Sequence, residues 1–326
     1  MIQAAIVGLG WWGQTLVKSV QGKTDKITFT KGCVRRPDQY GDVAKQLGLE
    51  LSASYEDLLA DPSIEAVVLA TPHTLHLSQI EAAAEAGKQI FCEKPLALTG
   101  VDAQKAATAA QKAVVILAAG HNRRFHPAFA KMRQMVTDGA FGDVLHVECN
   151  MSGPGIWLYQ PDSWRQSSEE TPAGGLAGMG LHMIDGIISM FGRIERLVAQ
   201  SSRVHRNEGL DIMTSVLMTM ENGMHAYVAT ALATSWCFDF RVFGEDGWAE
   251  MRNNPVDEFT FRPRDGEIET TKFGPDKTVQ AELEAFADAI GGKADYPVPV
   301  DEVVHGVAVF EAVIESAKTN QWVEIK

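Results

Sequence analysis

The chain has 326 residues, 45% of them hydrophobic, and a formal net charge of −13. This length suits two domains, each with its own core, and the acidic balance disfavours a nucleic acid or an anionic membrane as partner. We expect neither a signal peptide nor a membrane span, because the first residues lack a basic segment before a long apolar one and no apolar run is long enough. The four cysteines are scattered, which indicates reduced thiols in a cytoplasmic protein without a metal site.

The first predicted elements are a strand and a helix joined by a glycine-rich turn. Ala4 to Val7 is an apolar run that predicts a buried strand, and a helix is predicted from Trp11 to Val20. The glycines at this junction have the GxGxxG spacing of dinucleotide-binding turns, in which the helix N-terminus faces the pyrophosphate. The alternative is a glycine-rich turn in another α/β fold. The residues expected to bind a dinucleotide are Gly8, Gly10, Trp11, Trp12 and Gly13.

The end of the second predicted strand, Ile27 to Val34, bears on the choice of cofactor. An NAD-binding fold usually carries an acidic residue here, which bonds the ribose 2′-hydroxyl. This chain has Arg35 and Arg36 instead, and guanidinium groups suit a 2′-phosphate through charge-assisted bonds. We therefore predict NADP. The alternative is NAD, with Asp38 bonding the ribose and both arginines as ordinary surface charges.

Strands and helices alternate through the rest of the first 122 residues. Helices are predicted over 42–47, 54–59, 76–86 and 100–112, and strands over 65–70, 89–92 and 114–119. This alternation predicts a parallel, doubly wound sheet, in which ligands bind beyond the carboxyl ends of the strands. The residues at or just beyond such ends are Thr71, Pro72, His73, His76, Glu93, Lys94, Arg123 and Arg124. We expect them to line one site, with the two histidines contacting the cofactor or beginning a helix rather than binding a metal.

Consecutive strands with short connections dominate the second part of the chain. A helix is predicted over 126–138, and strands over 142–151, 195–204, 212–220, 224–233, 238–243, 248–252 and 258–261. Short turns such as the Asn222-Gly223 hairpin predict antiparallel order. Residues 212–220 are apolar on both faces, so either both faces are internal or a partner subunit covers one. Two final helices are predicted, over 279–290 and from an N-cap at Asp301 to Lys318.

A second group of candidate site residues precedes and begins a helix in this part. A glycine-rich segment leads into a helix with His182 and Asp185, which share a face at positions i and i+3. Histidine exchanges a proton near pH 7 without a shifted pKa. Upstream lie Trp157, Tyr159, Trp164 and Arg165. The three aromatic residues suit either a core or a lid that stacks on a sugar.

Three motifs together resemble the Gfo/Idh/MocA oxidoreductase family. They are GLGWWG, ATPHTLHLSQIEAAAEAGKQIFCEKPLALT and GHNRRFHPAF. The resemblance implies a Rossmann domain, then an α/β domain with an open, largely antiparallel sheet that a partner subunit covers. It also implies a nicotinamide cofactor, with Lys94 near the reacting carbon and the glycine-rich entry to the helix of His182 as a second signature.

The chain departs from the pattern of this family at one position. Many members carry an aspartate four residues before the histidine, whereas this chain has Gly178. The chain therefore lacks one member of the lysine, aspartate and histidine set with which the family oxidises polyols, which argues against that reaction here. Asp185 and Glu169 are candidate substitutes.

These observations together define an expected protein. We expect α/β architecture, with a dinucleotide-binding domain at 1–122 and a substrate-binding and oligomerisation domain at 123–326, the last helices packing back on the first domain. We expect an NADP(H)-preferring oxidoreductase, a homodimer or homotetramer, that acts on a sugar, cyclitol or related compound. Lys94 would bind the substrate oxygen and His182 exchange its proton, and the candidate substrate contacts are Arg123, Arg124, Trp164, Arg165 and Asp185. Alternatives are a reductase of a non-sugar carbonyl or conjugated double bond, and an inactive dinucleotide-binding sensor.

Overall fold

The computed structural model describes residues 1–160, 163–204 and 208–326. The chain forms two compact units. The first unit comprises residues 1–125 and 277–304, and the second unit comprises residues 126–276 and 305–326. Among the helices within the described ranges, none has the length and apolar character needed to cross a membrane.

The first 120 residues alternate strand and helix, as the sequence predicts. The elements are β1 (Ile2–Val7), α1 (Trp11–Val20), β2 (Ile27–Cys33), α2 (Gly41–Leu47), β3 (Glu50–Ser52), α3 (Tyr55–Ala60), β4 (Ala66–Leu69), α4 (His76–Glu85), β5 (Gln89–Glu93), α5 (Gly100–Ala113) and β6 (Leu117–Gly120). The six strands form one sheet in the order β3-β2-β1-β4-β5-β6, and every neighbouring pair is parallel. The predicted doubly wound sheet is confirmed, and its strand order reverses between β1 and β4.

The rest of the chain contains the remaining helices and a larger sheet. Its elements are α6 (Pro127–Thr137), β7 (Val144–Ser152), α7 (Gly155–Leu158), α8 (Leu181–Phe191), β8 (Ile194–Ser202), β9 (Met213–Met220), β10 (His225–Ala231), β11 (Cys237–Gly244), β12 (Gly247–Arg252), β13 (Glu258–Pro263), β14 (Glu269–Lys272), α9 (Thr278–Ile290), α10 (Val300–Thr319) and β15 (Val323–Glu324). The nine strands follow the order β14-β13-β12-β11-β7-β10-β9-β8-β15. The sheet is antiparallel except between β7 and β10, which run parallel because β7 is inserted between β10 and β11.

The structure differs from the predicted elements in three respects, each for a local reason. β6 begins at Leu117 and not at Val114, because Val114 adopts a left-handed conformation (φ 56°) that ends α5. The short edge strands β3, β14 and β15 were not predicted, since two to four residues give no hydrophobic period. Asp301 is not an N-cap, because α10 begins at Val300 and Asp301 lies within its first turn.

The core of the first unit includes residues from the C-terminal part of the chain. Strands β1 and β4 are almost completely buried, as expected for a parallel sheet covered on both faces. Leu283 and Phe286 of α9 belong to the same hydrophobic cluster as Leu16 and Val17 of α1. The ring of Phe286 lies 5.7 Å from that of Phe91 on β5. Helix α9 therefore covers one face of the parallel sheet.

The large sheet has one buried and one exposed face. Along β9, Val216, Met218 and Met220 are buried, whereas Leu217 on the opposite face is 41% exposed. Helix α8 covers the buried face closely: a Cβ on Gly186 would lie 2.9 Å from both Phe129 and Phe240. The prediction of apolar residues on both faces of β9 is therefore correct only in part, since the exposed face also carries polar residues such as Ser215.

Candidate active site

The glycine-rich turn after β1 is closed tightly and leaves open space at one point. Gly8 has φ 95°, and a Cβ there would lie 2.5 Å from the carbonyl oxygen of Ala70. A Cβ on Gly13 would collide with the carbonyl oxygen of Gly8, whereas one on Gly10 would meet no described residue within 4 Å apart from its chain neighbours. Because α1 begins at the next residue, Trp11, its first N–H groups lie at this open side. The turn therefore fits a pyrophosphate group at Gly10.

The two tryptophans in this turn differ in exposure. Trp11 is 75% exposed, whereas Trp12 packs against the hydrophobic cluster of the first unit. Their ring centroids lie 5.3 Å apart with a tilt of 48°. Trp11 thus presents an apolar surface beside the open side of the turn.

The two arginines after β2 are exposed. Within the described part of the chain, neither Arg35 nor Arg36 forms an ion pair or a side-chain hydrogen bond. Asp38 is also exposed and lies in a short helical turn, Pro37–Gln39. Both guanidinium groups are therefore available to an anionic ligand at the end of this strand.

His76 connects the ends of two neighbouring strands. Its ring is fully buried. Its Nδ1 lies 2.8 Å from the carbonyl oxygen of Pro95, and its Nε2 lies 3.2 Å from that of Thr71. Carbonyl oxygens only accept hydrogen bonds, so a ring nitrogen that carries a proton donates to the carbonyl beside it. The ring holds the segment that follows Lys94 against the end of β4.

The segment after β5 places an acidic and a basic residue side by side. Glu93 is 7% exposed, and its carboxylate packs against Gly120, where a Cβ would come within 2.9 Å of it. Lys94 is half-buried, its N–H donates to Glu93 Oε2 at 3.3 Å, and the Lys94–Pro95 peptide bond is cis. Lys94 thus follows a parallel strand at the carboxyl edge of the sheet, where the sequence predicts it.

The residues after β6 are held by the C-terminal part of the first unit. Arg124 Nη1 lies 2.6 Å from Glu302 Oε2, and its side chain is only 4% exposed. Asn122 Nδ2 donates to Thr278 Oγ1 at 3.0 Å. Arg123 is also buried, at 8% exposure. The ion pair with Glu302 shows that Arg124 helps to hold this turn. Substrate contact by Arg123 and Arg124 stays a prediction.

In the second unit, a π-helical turn leads into the helix of His182. The turn spans Leu176–Gly180 and continues directly into α8, and π-helical turns are frequent at functional sites. His182 and Asp185 are buried, at 8% and 4% exposure. Glu169, the other carboxylate considered as a substitute at Gly178, is exposed. Asp185 is therefore the one of the two that belongs to the same helix as His182.

Two aromatic residues upstream of this turn have defined surroundings. The guanidinium of Arg165 lies 4.2 Å from the ring centroid of Trp164, a cation–π contact. The hydroxyl of Tyr159 lies 3.7 Å from the position of a Cβ on Gly178. The sequence predicts Tyr159 only as one of three aromatic residues of a core or a sugar-stacking lid, because an aromatic residue in a loop gives no signal of what its hydroxyl will meet.

Family models match most of the chain. A model described as the oxidoreductase family with an NAD-binding Rossmann fold, GFO/IDH/MocA, matches residues 2–121. The model of the GFO/IDH/MocA C-terminal domain matches residues 129–250.

Similar proteins include an oxidoreductase and two dehydrogenases. An uncharacterized oxidoreductase of Streptococcus pneumoniae is 28% identical over 72% of this chain, which spans 64% of that relative. D-xylose 1-dehydrogenase (NADP⁺) 2 of Haloferax volcanii is 29% identical, with 87% of each chain covered. A levoglucosan dehydrogenase solved with NADH and L-sorbose is 21% identical and superposes with a TM-score of 0.89, covering 100% of this chain and 99% of its own. At that identity, the superposition shows a shared fold.

Proposed function

The chain belongs to the GFO/IDH/MocA oxidoreductase family, and we propose that it is an NADP(H)-preferring member that moves a hydride to or from a sugar, cyclitol or related hydroxy or carbonyl compound. The observation that carries this proposal is the placement of Lys94 at the carboxyl edge of the same parallel sheet that bears the glycine-rich turn. Ligands of open parallel sheets bind at that edge.

The cofactor preference rests on the two exposed arginines after β2. The tight turn at Gly8 and Gly13, with open space at Gly10, suits the pyrophosphate common to NAD and NADP. Arg35 and Arg36 add positive charge where NADP carries its 2′-phosphate, and charge-assisted bonds to phosphate favour it. The similar Haloferax volcanii enzyme is named for NADP⁺, whereas the levoglucosan dehydrogenase was solved with NADH.

The division of work between the residues follows from their chemistry. When bound, the nicotinamide supplies or accepts the hydride. Lys94 holds the substrate oxygen by a hydrogen bond from its ammonium group, and His182 exchanges the proton of that oxygen, as a histidine does near neutral pH. Trp164, Arg165 and Asp185 are proposed substrate contacts. A sugar or polyol fits these roles, because hydroxyl oxygens accept and donate hydrogen bonds.

Assembly and location are part of the proposal. The exposed face of the large sheet carries Leu217 and Tyr227, at 41% and 36% exposure, and burial of such apolar side chains stabilises subunit interfaces. We therefore propose a homodimer or homotetramer, which light scattering at micromolar concentration will test; a monomer would contradict it. The cysteines are free thiols, which suits a reducing, cytoplasmic location.

The experiment that tests the function is steady-state turnover with NADP(H) and with NAD(H). D-xylose and levoglucosan are assayed with the oxidised cofactors, and L-sorbose and simple non-sugar carbonyl or enone compounds with the reduced ones. Turnover of a sugar with preference for NADP(H) supports the proposal. Turnover of non-sugar compounds alone favours the alternative reductase. Cofactor binding without turnover favours a sensor that lacks catalysis, an alternative suggested by the absence of a carboxylate at Gly178.

A further inference from the structure

The hydroxyl of Tyr159 lies against the glycine-rich turn that leads into the helix of His182. Tyr159 directly follows α7, its N–H donates to the carbonyl oxygen of Gly155 at 3.0 Å, and its carbonyl accepts from Gln166 Nε2 at 3.2 Å. The side chain therefore projects from a backbone that is held by hydrogen bonds on both sides.

Two glycines make room for this hydroxyl. A Cβ on Gly155 would lie 3.3 Å from Tyr159 Oη, and a Cβ on Gly178 would lie 3.7 Å from it. The first distance is tight and the second is an ordinary van der Waals contact. The hydroxyl thus lies beside position 178, and a side chain introduced there would reach it.

The hydroxyl keeps its donor available. Among the residues that the structure describes, no group accepts a hydrogen bond from Tyr159 Oη. Burial raises the pKa of this phenol, and Arg165 only partly opposes the rise. The group is therefore protonated at neutral pH, and a partly buried donor of this kind gains free energy when an oxygen is placed beside it.

The same turn links this hydroxyl to His182. Gly178 and His182 are four residues apart on a continuous helical path, from the π-helical turn into α8. Residues at that spacing lie on one side of a helix. Tyr159 Oη and the His182 side chain therefore border the same strip of the helix surface, within one unit.

On the premise of the proposed function, we propose that Tyr159 Oη donates a hydrogen bond to a hydroxyl or carbonyl oxygen of the sugar or polyol substrate, beside His182. Tyr159 keeps its proton throughout, and His182 remains the residue that exchanges one. Tyr159 thereby determines which oxygenated compounds bind, and it supplies a neutral donor where a carboxylate at position 178 would supply an acceptor.

The test compares the wild type with Tyr159→Phe, which removes only the hydroxyl. Tyr227→Phe is the matched control, because its hydroxyl bonds Ser215 on the exposed sheet face of the same unit. The probes are D-xylose, levoglucosan and L-sorbose, and their binding is measured by calorimetric titration. To prevent turnover, the protein is saturated with NADPH for D-xylose and levoglucosan and with NADP⁺ for L-sorbose. We expect Tyr159→Phe to bind the sugar about tenfold more weakly and to raise KM by a similar factor, with NADP affinity and the pH profile of kcat unchanged. Tyr227→Phe should match the wild type.

The outcomes separate this proposal from the function on which it rests. Equal sugar affinity in the wild type and Tyr159→Phe, with turnover intact, overturns the role of Tyr159 alone. Sugar binding that weakens in Tyr159→Phe without any turnover supports Tyr159 and overturns the proposed reaction. Failure of the wild type to bind any of the three probes overturns both.

A second variant covers the case in which Tyr159→Phe does not fold. In Gly178→Asp, the new carboxylate is expected to accept the hydrogen bond of Tyr159 Oη and so remove that donor from the substrate. Sugar binding should fall several-fold while NADP affinity holds. Unchanged sugar affinity in Gly178→Asp would contradict the proposal.

Discussion

Two regions of the molecule carry the proposed chemistry, and they are built differently. In the first unit, the glycine-rich turn, Arg35, Arg36 and Lys94 all lie just beyond the end of a parallel strand, and we call this the strand-end region. In the second unit, Tyr159, Gly178 and His182 come from a loop, a π-helical turn and a helix, and we call this the turn region. Strand ends are positioned by the hydrogen bonds of the sheet, whereas the turn region is positioned by the packing of side chains against glycines. Changes in the two regions should therefore differ in what they affect.

The largest expected effect comes from removing the proposed chemical group of each region. Lys94→Ala and His182→Ala should each lower kcat/KM by about a hundred- to ten-thousand-fold, because each removes help with the proton or the oxygen of the substrate. NADP affinity should stay nearly constant. The double variant should lose less than the product of the single losses if both residues act on one oxygen.

The measurement is the pH profile of kcat/KM for the wild type and both single variants, with Lys112→Ala, an exposed lysine, as control. A His182→Ala enzyme with the wild-type rate and profile would give the histidine a structural role. The turn region would then contribute binding, and the chemistry would lie in the strand-end region alone.

The next effect separates cofactor choice from catalysis. The Arg35→Ala, Arg36→Ala double variant should weaken NADP binding by about 1.5 to 3 kcal/mol, because a charge-assisted bond to phosphate is lost, and should leave NAD binding almost unchanged. Fluorescence titration with both cofactors measures this, with Arg264→Ala as a control at an exposed arginine. Equal losses for NAD and NADP, or tighter NAD binding by the wild type, would contradict the NADP assignment.

A pH-dependent effect is expected at the end of the helix of His182. His305 Nε2 accepts the N–H of Ile194 at 2.9 Å, and burial, aided by Arg193, lowers the pKa of His305 to about 4 from 6.5. Between these two pH values, the unfolded chain binds a proton at His305 and the folded chain does not. The stability that the neutral His305 contributes is therefore fully present above pH 6.5 and is lost as the pH falls toward 4. The loss should be on the order of 3 kcal/mol, since a shift of one pKa unit corresponds to about 1.4 kcal/mol.

Thermal unfolding of the wild type and of His305→Gln between these pH values checks the prediction. The amide oxygen of glutamine can still accept the N–H of Ile194 but does not titrate in this range. The wild type should therefore lose more stability than His305→Gln on acidification. Parallel curves would show that His305 does not set the acid sensitivity of the second unit.

His76 provides the corresponding test for the strand-end region. His76→Ala removes a fully buried ring that contacts the carbonyl oxygens of Thr71 and Pro95, and an unsatisfied buried acceptor costs about 1 to 3 kcal/mol. We expect a lower thermal midpoint and a lower kcat, because the segment after Lys94 loses its support. A variant with full stability and activity would show that the strand alone positions Lys94.

The smallest expected effect is a shift in the kinetic pKa assigned to His182. Gly178→Asp would place a carboxylate one helical turn away, and a nearby negative charge favours the protonated imidazole. The backbone has room for a Cβ here, since the nearest atom to it among the described residues outside its own helix is Tyr159 Oη, at 3.7 Å. The pKa in the pH profile of kcat/KM should rise, and Gly178→Asn, which adds no charge, should leave it in place. The same pKa in both variants would place the titrating group elsewhere.

Much of the strand-end region is predictable because its signals are local. The apolar run before Gly8, the spacing to Gly13 and the position of Lys94 after Gln89–Glu93 each occupy a few consecutive residues, and the structure has the strands where they predict. The parallel order follows from the alternation of strand and helix. The sequence could not reveal that Arg124 pairs with Glu302, because 178 residues separate the partners and Glu302 lies outside the three motifs.

The sequence by itself thus determined the α/β class, the parallel sheet, the family and the positions of the strand-end residues beyond their strands, since hydrophobic period and glycine spacing act through the nearest neighbours in the chain. Only the tertiary structure decided that β7 runs parallel to β10, that the ring of His76 is buried against backbone carbonyl oxygens, and that the hydroxyl of Tyr159 lies beside Gly178. Each of these depends on a contact between segments that are distant in sequence. Such contacts depend on how the whole unit packs, and local sequence patterns do not predict that packing.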